Sequence, residues 1–331
     1  LEAAADIIFF IFIIGGTFGI LRDTGTIPAA IRALLDRFGH SAGLLTVIIM
    51  TAIAVGGSTL GMGEEFIPLV PVFLLISHRL GYDRLYGLSL VMLSSAIGFA
   101  AATTNPFTVN IAQSIAQLPL NSGFGLRLAF FAVAIAITIA YVLRYGARVR
   151  ANPAASLLAG APGPLPDDAL KEHAFTARHK LTLLLCAAVF ALILYGVQSL
   201  GWWMSDMAGG FLLMGLVAAA ACRLGLESTV QSFIRGLEEM VVAALVVGFA
   251  RAITVVLADG QILDTLVYAA DRLLSGLPPY LAVEGMFLFQ TLLNFFIPSG
   301  SGQAAVTMPI MVPLADVLGV TRRTAVLAFQ F

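Results

Sequence analysis

Residues 56–68 read Gly-Gly-Ser-Thr-Leu-Gly-Met-Gly-Glu-Glu-Phe-Ile-Pro and lie between two apolar segments. Glycine lets the backbone adopt positive φ and approach a ligand closely, which makes Gly57 and Gly63 candidate binding positions. Ser58 and Thr59 add hydroxyl groups. A helix beginning near Gly63 would present free N–H groups and the positive end of its dipole. These residue types predict a site for a polar or charged solute at a turn.

Adjacent carboxylates at Glu64 and Glu65 follow this turn. Ionisable residues inside a membrane segment are costly and usually functional. Three interpretations stay open. One carboxylate could pair with Arg22, Arg127 or Arg251, carry a proton after burial raises its pKa, or meet a cationic group of the solute. We assign both residues to solute binding, and Glu64 also to ion coupling.

A second polar interruption reads Ala-Ala-Thr-Thr-Asn-Pro-Phe at residues 101–107. A proline in a helix removes one N–H and clashes with the preceding turn, so a helix running through this stretch should break. The freed carbonyls could coordinate a cation. We therefore assign Thr103 and Asn105 to ion coupling, together with Gly57 and Glu64. Thr104 and Asn105 are candidates for binding the solute.

A third interruption reads Phe-Ile-Pro-Ser-Gly-Ser-Gly-Gln at residues 296–303, and it supplies Ser299, Ser301 and Gln303 as solute-binding candidates. Glycine-rich kinks in membrane helices can also serve packing alone. Three kinks that all hold Ser, Thr, Asn or Gln favour a binding site over packing.

The sequence gives little support for metal binding, catalysis or nucleic-acid binding. The histidines show no paired spacing, so we expect no metal site and no cofactor. The sequence holds no Gly-x-Ser-x-Gly, Walker or dinucleotide-binding pattern, and we expect no enzyme. A basic patch suited to nucleic acid is also missing. Cys186 and Cys222 lie in apolar segments, which indicates free thiols.

The elements that must position these residues follow from composition. The chain has 331 residues, of which 59% are hydrophobic and 11% charged. Soluble domains carry about 25% charged residues, so the composition predicts an all-α polytopic membrane protein. A spanning helix needs about 20 apolar residues. The candidate spans are 5–21, 85–117, 126–145, 181–200, 206–222 and 240–258.

Two apolar regions, 43–80 and 280–318, are interrupted near their midpoints, and each half is short for a bilayer crossing. This pattern predicts re-entrant helical hairpins, because irregular backbone at membrane depth must be buried in protein or line a cavity. Segment 85–117 is too long for one simple span and is predicted to be a broken helix. Segments 26–38 and 261–275 are predicted to be amphipathic helices at the interface.

The elements also occur twice in the same order. Sliding residues 25–37 by 235 positions, or residues 71–84 by 238, aligns four identical residues each time; Gly25, for example, falls on Gly260. We expect two repeats, within 1–145 and 181–331. Positive charges place the linker, 146–180, in the cytoplasm and the repeats in inverted orientations. The alignment also leads us to expect that the natural chain continues with a second broken helix.

The sequence resembles the YfcC family, which groups with the C4-dicarboxylate anaerobic carriers (DcuC) in the ion transporter superfamily. The resemblance covers nearly the whole chain, and the motifs that carry it are Gly-Gly-Thr-Phe-Gly-Ile (15–20), Gly-Met-Gly-Glu-Glu (61–65), Gly-Tyr-Asp (81–83), Thr-Asn-Pro-Phe (104–107) and Pro-Ser-Gly-Ser-Gly-Gln-Ala (298–304). It implies a homodimer in the bacterial inner membrane, with a mobile domain that moves by an elevator mechanism. Relatives bind substrate and sodium through Ser, Asn and Thr groups at hairpin tips. The first tip here lacks a Ser-Asn-Thr triplet, so that likeness is one of position.

The sequence therefore predicts a secondary transporter of a small charged organic solute, coupled to Na⁺ or H⁺. Two tip carboxylates would repel a dianion and attract an amine or guanidinium, which favours an amino-acid-like solute and basic amino acid exchange. The alternative solute is a C4-dicarboxylate, as the family name suggests. A channel would need a continuous polar lining, and a membrane-embedded enzyme would need a catalytic constellation; both are weaker hypotheses.

Overall fold

A computed structural model describes residues 5–30, 33, 41–159, 175–274, 276–297 and 299–331. Within these ranges every regular element is a helix. Most of the predicted amphipathic helix 26–38 lies outside the described residues. So do the side chains of Glu64, Glu65 and Arg251.

The first part of the chain holds helices that surround the first two polar interruptions. In chain order these are α1 (Ala5–Asp23), α2 (Ala42–Leu60), a 3-10 helix (Glu64–Leu69), α3 (Val70–Arg79), α4 (Arg84–Ala100), a π-helical turn (Pro106–Asn110), α5 (Ile111–Ile115) and α6 (Phe124–Ala151). The helix predicted over 85–117 is thus interrupted between α4 and the π turn. The chain around Ser58 and Thr59 is the last turn of α2, and the next helical residue is Glu64.

The remaining helices contain the third interruption. They are α7 (Ala177–Tyr195), α8 (Met204–Cys222), α9 (Leu226–Glu239), α10 (Val241–Asp259), α11 (Ile262–Leu274), α12 (Pro279–Phe296), α13 (Gly300–Val317) and α14 (Arg322–Gln330). The predicted amphipathic helix 261–275 is α11, and the predicted hairpin 280–318 comprises α12 and α13.

Five of the described helices, α1, α2, α6, α7 and α8, are long and apolar enough to cross a membrane. For α2 the structure corrects the sequence analysis, which took each half of 43–80 as too short. The helix reaches 19 residues because it runs on through Gly56, Gly57 and Ser58 before it ends. A run of small residues inside a helix is tolerated when another helix packs closely against it.

The predicted boundary between α6 and the linker also differs. α6 runs to Ala151, six residues past the predicted end at 145. Arg148 and Arg150 occupy its last turn, where positive charge interacts favourably with the helix dipole. The first residues of the predicted linker, 146–151, therefore form the end of α6.

Helix α9 is an element that the sequence analysis missed. It is a 14-residue amphipathic helix, too short and too polar for a search based on apolar spans. It packs along α1, and their backbones touch: a Cβ added to Gly19 would lie 2.3 Å from the carbonyl oxygen of Ser232, and one added to Gly236 would lie 2.2 Å from that of Gly15. Part of the Gly-Gly-Thr-Phe-Gly-Ile motif therefore serves close helix packing.

Charged pairs hold the same two helices together at the end of α1. Arg22 donates to the Glu239 carboxylate over 2.8 Å, and Arg235 donates to Asp23 over 2.6 Å. Exposed ion pairs add little stability individually. Together with the glycine contacts, they set the register of α9 on α1.

The second hairpin packs against the broken helix of the first half. α13 contacts both the π turn and α5, and α14 contacts α5. Buried small and apolar residues form this contact: Ala112, Ala116, Ala304, Met308, Val312, Val326 and Phe329. At the corner before α14, Arg322 donates to Ala116 O over 3.2 Å and lowers the pKa of Asp316 through hydrogen bonds.

One face of α6 carries exposed apolar side chains at helical spacing. They are Leu126, Phe130, Val133, Ile137 and Tyr141. A contiguous apolar stripe on a long helix is what a lipid environment requires of a spanning segment.

The glycine contact between α1 and α9 makes a first prediction. Gly19→Ala should lower the melting temperature of the purified protein in detergent, because overpacking of a tight contact costs roughly 1–3 kcal/mol. Gly209→Ala is the matched control, since a Cβ at that helical position would have no described heavy atom of another element within 4 Å. Alanine is the better helix former, so the control should melt at or slightly above the parent temperature. Equal melting of both variants would contradict the packing role.

Candidate functional site

The end of α2 lies against the helix break, and hydrogen bonds join the two. The N–H groups of Thr103 and Thr104 donate to Ser58 O over 2.9 and 3.2 Å. The hydroxyls of Ser58 and Thr103 are 3.0 Å apart, and Thr104 Oγ1 donates to Thr59 O over 3.3 Å. Two of the three predicted polar interruptions therefore form one cluster.

Gly61 makes this close approach possible. It ends α2 with φ 70°, and its N–H donates to Gly57 O over 3.0 Å. A Cβ at Gly61 would lie 2.5 Å from Asn105 Oδ1 and 2.7 Å from Phe107 Cδ2. The position thus requires glycine both for its backbone angle and for space.

The two tip glycines predicted to bind, Gly57 and Gly63, differ from Gly61. A Cβ at Gly57 would lie 3.0 Å from Ser95 O and 3.1 Å from Phe99 N, so this glycine packs α2 against α4. Gly63 has φ −139°, and a Cβ there would have no heavy atom within 4 Å. The structure therefore gives Gly57 a packing contact, whereas a Cβ at Gly63 would meet no heavy atom of the described residues.

Asn105 is fully buried at the start of the π turn. Its Oδ1 accepts a hydrogen bond from Phe107 N over 2.8 Å, which caps the turn. Its Nδ2 is buried with no hydrogen-bond partner among the described residues. A buried donor without a partner is unfavourable, so a ligand or a bound water that accepted from this N–H group would be stabilising.

Arg127, near the start of α6, reaches the same break and is 1% exposed. Its Nε donates to Thr103 O over 2.9 Å and its Nη1 to Ser122 O over 2.6 Å. Its Nη2 is buried without a partner. The sequence analysis named Arg127 only as a possible partner of a tip carboxylate. The sequence did contain a stronger indication of a functional role, because Arg127 is the one charged residue in the apolar stretch 124–143.

Unpartnered polar atoms concentrate around the break. In the described part of the chain seven buried side-chain atoms have no hydrogen-bond partner, and six belong to the break or to residues next to it. The six are Asn105 Nδ2, Thr108 Oγ1, Asn110 Oδ1, Ser122 Oγ, Arg127 Nη2 and Gln330 Oε1. Buried polar groups are ordinarily paired, so such a concentration indicates a place for a ligand or for bound water.

Residues from the second half complete the surroundings. Gln330 Nε2 donates to Phe99 O and Ala100 O over 3.0 and 3.1 Å, which satisfies the last carbonyls of α4. Gly300, at the start of α13, would place a Cβ 2.4 Å from Thr108 Cγ2. The second tip therefore touches the π turn.

The predicted residues of the second tip have separate roles. Ser299 caps α13 by accepting from Gly302 N over 3.2 Å, and Ser301 is half-buried. Gln303 donates to Gln290 Oε1 over 2.7 Å, and Gln290 donates to Thr307 Oγ1 over 2.9 Å. Gln303 therefore joins α12 to α13. The sequence analysis missed Gln290, whose pairing depends on the packing of the two helices.

Thr103 is predicted to couple an ion, and both of its oxygen atoms take part in hydrogen bonds. Its carbonyl accepts from Arg127 and its hydroxyl is paired with Ser58. Because carbonyl and hydroxyl oxygens each have two lone pairs, these hydrogen bonds do not decide whether Thr103 contacts an ion, and its coupling role stays a prediction. Across the described residues no group of three or more His, Cys, Asp or Glu could hold a metal ion.

Of the three arginines proposed as partners of the tip carboxylates, Arg22 and Arg127 have described side chains. Arg22 forms its ion pair with Glu239, and Arg127 donates to carbonyl oxygens.

A cavity of about 290 Å³ lies away from the break, between α4 and α6. Its lining is mainly apolar, with hydroxyl groups only at Ser89, Tyr141 and Tyr145.

Comparison with known proteins identifies relatives over the whole chain. The C4-dicarboxylate anaerobic carrier family (DcuC) matches residues 1–331. A protein of Escherichia coli (strain K12) named "Putative basic amino acid antiporter YfcC" is 35% identical, over 99% of this chain and 67% of its own length. An uncharacterized protein of Haemophilus influenzae is 30% identical, over 99% of this chain and 66% of its own length. The chain thus spans about two thirds of the length of both relatives.

A solved structure shares the fold. The crystal structure of the Alcanivorax borkumensis YdaH transporter aligns with a TM-score of 0.51 and 14% identity, over 97% of this chain and 72% of that one. At this level of identity the likeness concerns the fold alone.

The two tip glycines allow a second prediction. Gly61→Ala should lower the melting temperature of the purified protein, because positive φ costs a side-chain-bearing residue about 1–2 kcal/mol and the added Cβ displaces Asn105. Gly63→Ala should melt close to the parent temperature, since its φ is negative and a Cβ there would have no heavy atom of the described residues within 4 Å. If Gly63→Ala were the more damaging change, the described tip geometry would be wrong.

Proposed function

The chain belongs to the C4-dicarboxylate anaerobic carrier (DcuC) family, and from this we propose that it is a secondary transporter that moves a small charged organic solute by alternating access. It is a multi-pass membrane protein, since the family is one of carriers and several helices are long enough to span. The observation that carries the proposal is the cluster of buried, unpartnered polar atoms at the helix break. Transporters place such irregular backbone at their solute site.

A duplicated architecture is part of the proposal, and the helix bounds support it. α1 and α10 end at Asp23 and Asp259, 236 positions apart. α2 and α12 begin 237 positions apart, at Ala42 and Pro279. α4 and α14 each start with an arginine, 238 positions apart.

The turns before α4 and α14 support the duplication further. Gly81 and Gly319 both have positive φ, 81° and 70°. Their N–H groups donate to the carbonyls of His78 and Asp316 over 3.0 and 3.3 Å. The next helices are capped in the same way: Asp83 accepts from Tyr86 N, and Thr321 accepts from Thr324 N.

After α1 and α10 the geometry favours a slightly different alignment from the one predicted. The sequence alignment paired Gly25 with Gly260, but positive φ occurs at Gly25 and at Gln261. Ala29 N donates to Gly25 O as Thr265 N donates to Gln261 O. An offset of 236 therefore fits these turns better than 235. The inverted orientation of the repeats rests on positive-charge placement, and the elevator movement and the homodimer rest on family likeness.

The proposed solute is amino-acid-like, with basic amino acid exchange as the favoured reaction. The name of the Escherichia coli relative supports this, as does the pair of carboxylates after the first tip. The alternative is uptake or exchange of a C4-dicarboxylate, which the family description supports. Arg127, a buried cation at the break, favours a solute with an anionic group in either case.

We further propose the bacterial inner membrane as the location, with the linker after α6 in the cytoplasm. Arg148 and Arg150 close α6 on that side, which fits the excess of positive charge in cytoplasmic loops. The coupling ion is proposed to be Na⁺ or H⁺.

The test is uptake by proteoliposomes that contain the purified protein. Labelled arginine, ornithine, succinate and fumarate are offered in turn, each with and without a Na⁺ gradient, a pH gradient or unlabelled solute inside. We expect saturable uptake of one class, accelerated by the matching solute inside if the protein is an exchanger. Conductance far above alternating-access rates would indicate a channel, and chemical conversion without translocation would indicate an enzyme.

The same assay gives a third prediction. Asn105→Ala should reduce the uptake rate at least about tenfold, because the variant loses the buried amide at the break. Asn294→Ala is the matched control, since Asn294 is an exposed asparagine of α12. Equal uptake by both variants would remove Asn105 from the site.

A further inference from the structure

We infer that Arg127 binds a carboxylate group of the transported solute, and that its Nη2 donates the contact. The inference rests on the proposed function and adds a specificity-determining residue to it. It makes a carboxylate a required feature of the solute, whether that solute is an amino acid or a dicarboxylate.

The first argument concerns charge. Arg127 is 1% exposed, and its recorded partners are the carbonyl oxygens of Thr103 and Ser122. Among the side chains that the structure describes, no carboxylate forms an ion pair with it. Arginine stays protonated in proteins, so the charge persists. Burial of a charge without a counter-ion is strongly unfavourable, and an anionic ligand would remove that cost.

The second argument concerns geometry. Two carbonyl oxygens hold Nε and Nη1 at 2.9 and 2.6 Å, so the plane of the guanidinium is fixed before any ligand arrives. Nη2 is left buried and unpartnered. A planar guanidinium can present Nη2 and the second hydrogen of Nη1 to both oxygens of a carboxylate. A fixed orientation lowers the entropy lost on binding.

The third argument concerns the neighbours. Ser122 Oγ, Thr108 Oγ1 and Asn105 Nδ2 are all buried without partners, and each can donate a hydrogen bond. The first turn of α13 reaches the π turn through Gly300 and Thr108, and a helix N-terminus favours negative charge. These donors suit an anionic oxygen at the break.

A purely structural arginine would behave differently. Arg322 illustrates that case, because its three nitrogens donate to Asp316, Ala116 O and Gln117. Its charge is neutralised by Asp316 at 2.7 Å. Arg127 lacks both features: a counter-ion among the described side chains and a partner for its third nitrogen.

The experiment compares solutes that differ only at the carboxylate. The purified protein is mixed with arginine or agmatine, lysine or cadaverine, and succinate or succinamide, and affinity is measured from the shift in melting temperature. We expect at least one carboxylate solute to bind at least about tenfold more tightly than its neutral partner at that position, since hydrogen bonds to charged groups are strong. Agmatine binding as tightly as arginine, together with succinamide binding as tightly as succinate, would overturn the inference. So would failure of every carboxylate solute to bind.

Variants then assign the effect to Arg127. Arg127→Gln should abolish the preference for the carboxylate member of each pair, while Arg127→Lys should keep part of it because the charge remains. Arg322→Gln is the matched control and should keep the full preference. The quantity measured is the ratio of the affinities for the two paired solutes within one variant. A general loss of stability affects both affinities and does not by itself change their ratio. If Arg127→Gln does not fold, the Arg127→Lys ratio decides: an unchanged ratio overturns the inference.

The outcome is separable from that of the proposed function. Transport in proteoliposomes without discrimination between the paired solutes would leave a transporter and exclude this role for Arg127. Discrimination in binding without translocation would exclude the transporter and leave the carboxylate site.

Discussion

A helix that breaks inside an apolar structure frees backbone groups where water is scarce, and the protein must satisfy them. Three parts of the chain meet this constraint at the break after α4. Ser58, at the end of α2, accepts from the N–H groups of Thr103 and Thr104. Arg127 in α6 donates to Thr103 O, and Gln330 in α14 donates to the last carbonyls of α4. Because each part is needed to satisfy the break, the first tip, α6 and the second half are held around one point.

Glycine contacts make the surrounding packing possible. Gly61 lets the tip approach Asn105, Gly57 lets α2 approach α4, and Gly19 lets α9 approach α1. Gly57 and Gly19 meet backbone atoms of the neighbouring helix, and Gly61 meets the side chains of Asn105 and Phe107; a side chain would prevent each approach. The supporting helices are thereby closely packed around the groups left unpaired at the break. Fixed donors with no internal partner are what a binding site for a polar solute requires.

The sequence indicated the polar interruptions, because clusters of glycine, proline and polar residues stand out within apolar segments. It also indicated the helical class, since the composition excludes a soluble surface. It did not indicate α9, whose polar half hides it from a search for apolar spans. Nor did it indicate the pairing of Gln303 with Gln290, since those side chains are 13 positions apart and meet only when α12 and α13 pack.

By itself, then, the sequence indicated the three polar interruptions and the residue types that stand at each, because local backbone chemistry is readable from residue type. It did not fix the helix ends, since α2 runs on through Gly56, Gly57 and Ser58 to Leu60. The tertiary structure alone decided which of those residues meet. It joined Ser58 to Thr103, 45 positions away, and turned Gly57 toward a helix contact. It also brought the single charge in the first part of α6 to the break as a buried cation. Such long-range contacts depend on how helices pack, and helix packing follows from the summed shape of many side chains that no local pattern encodes.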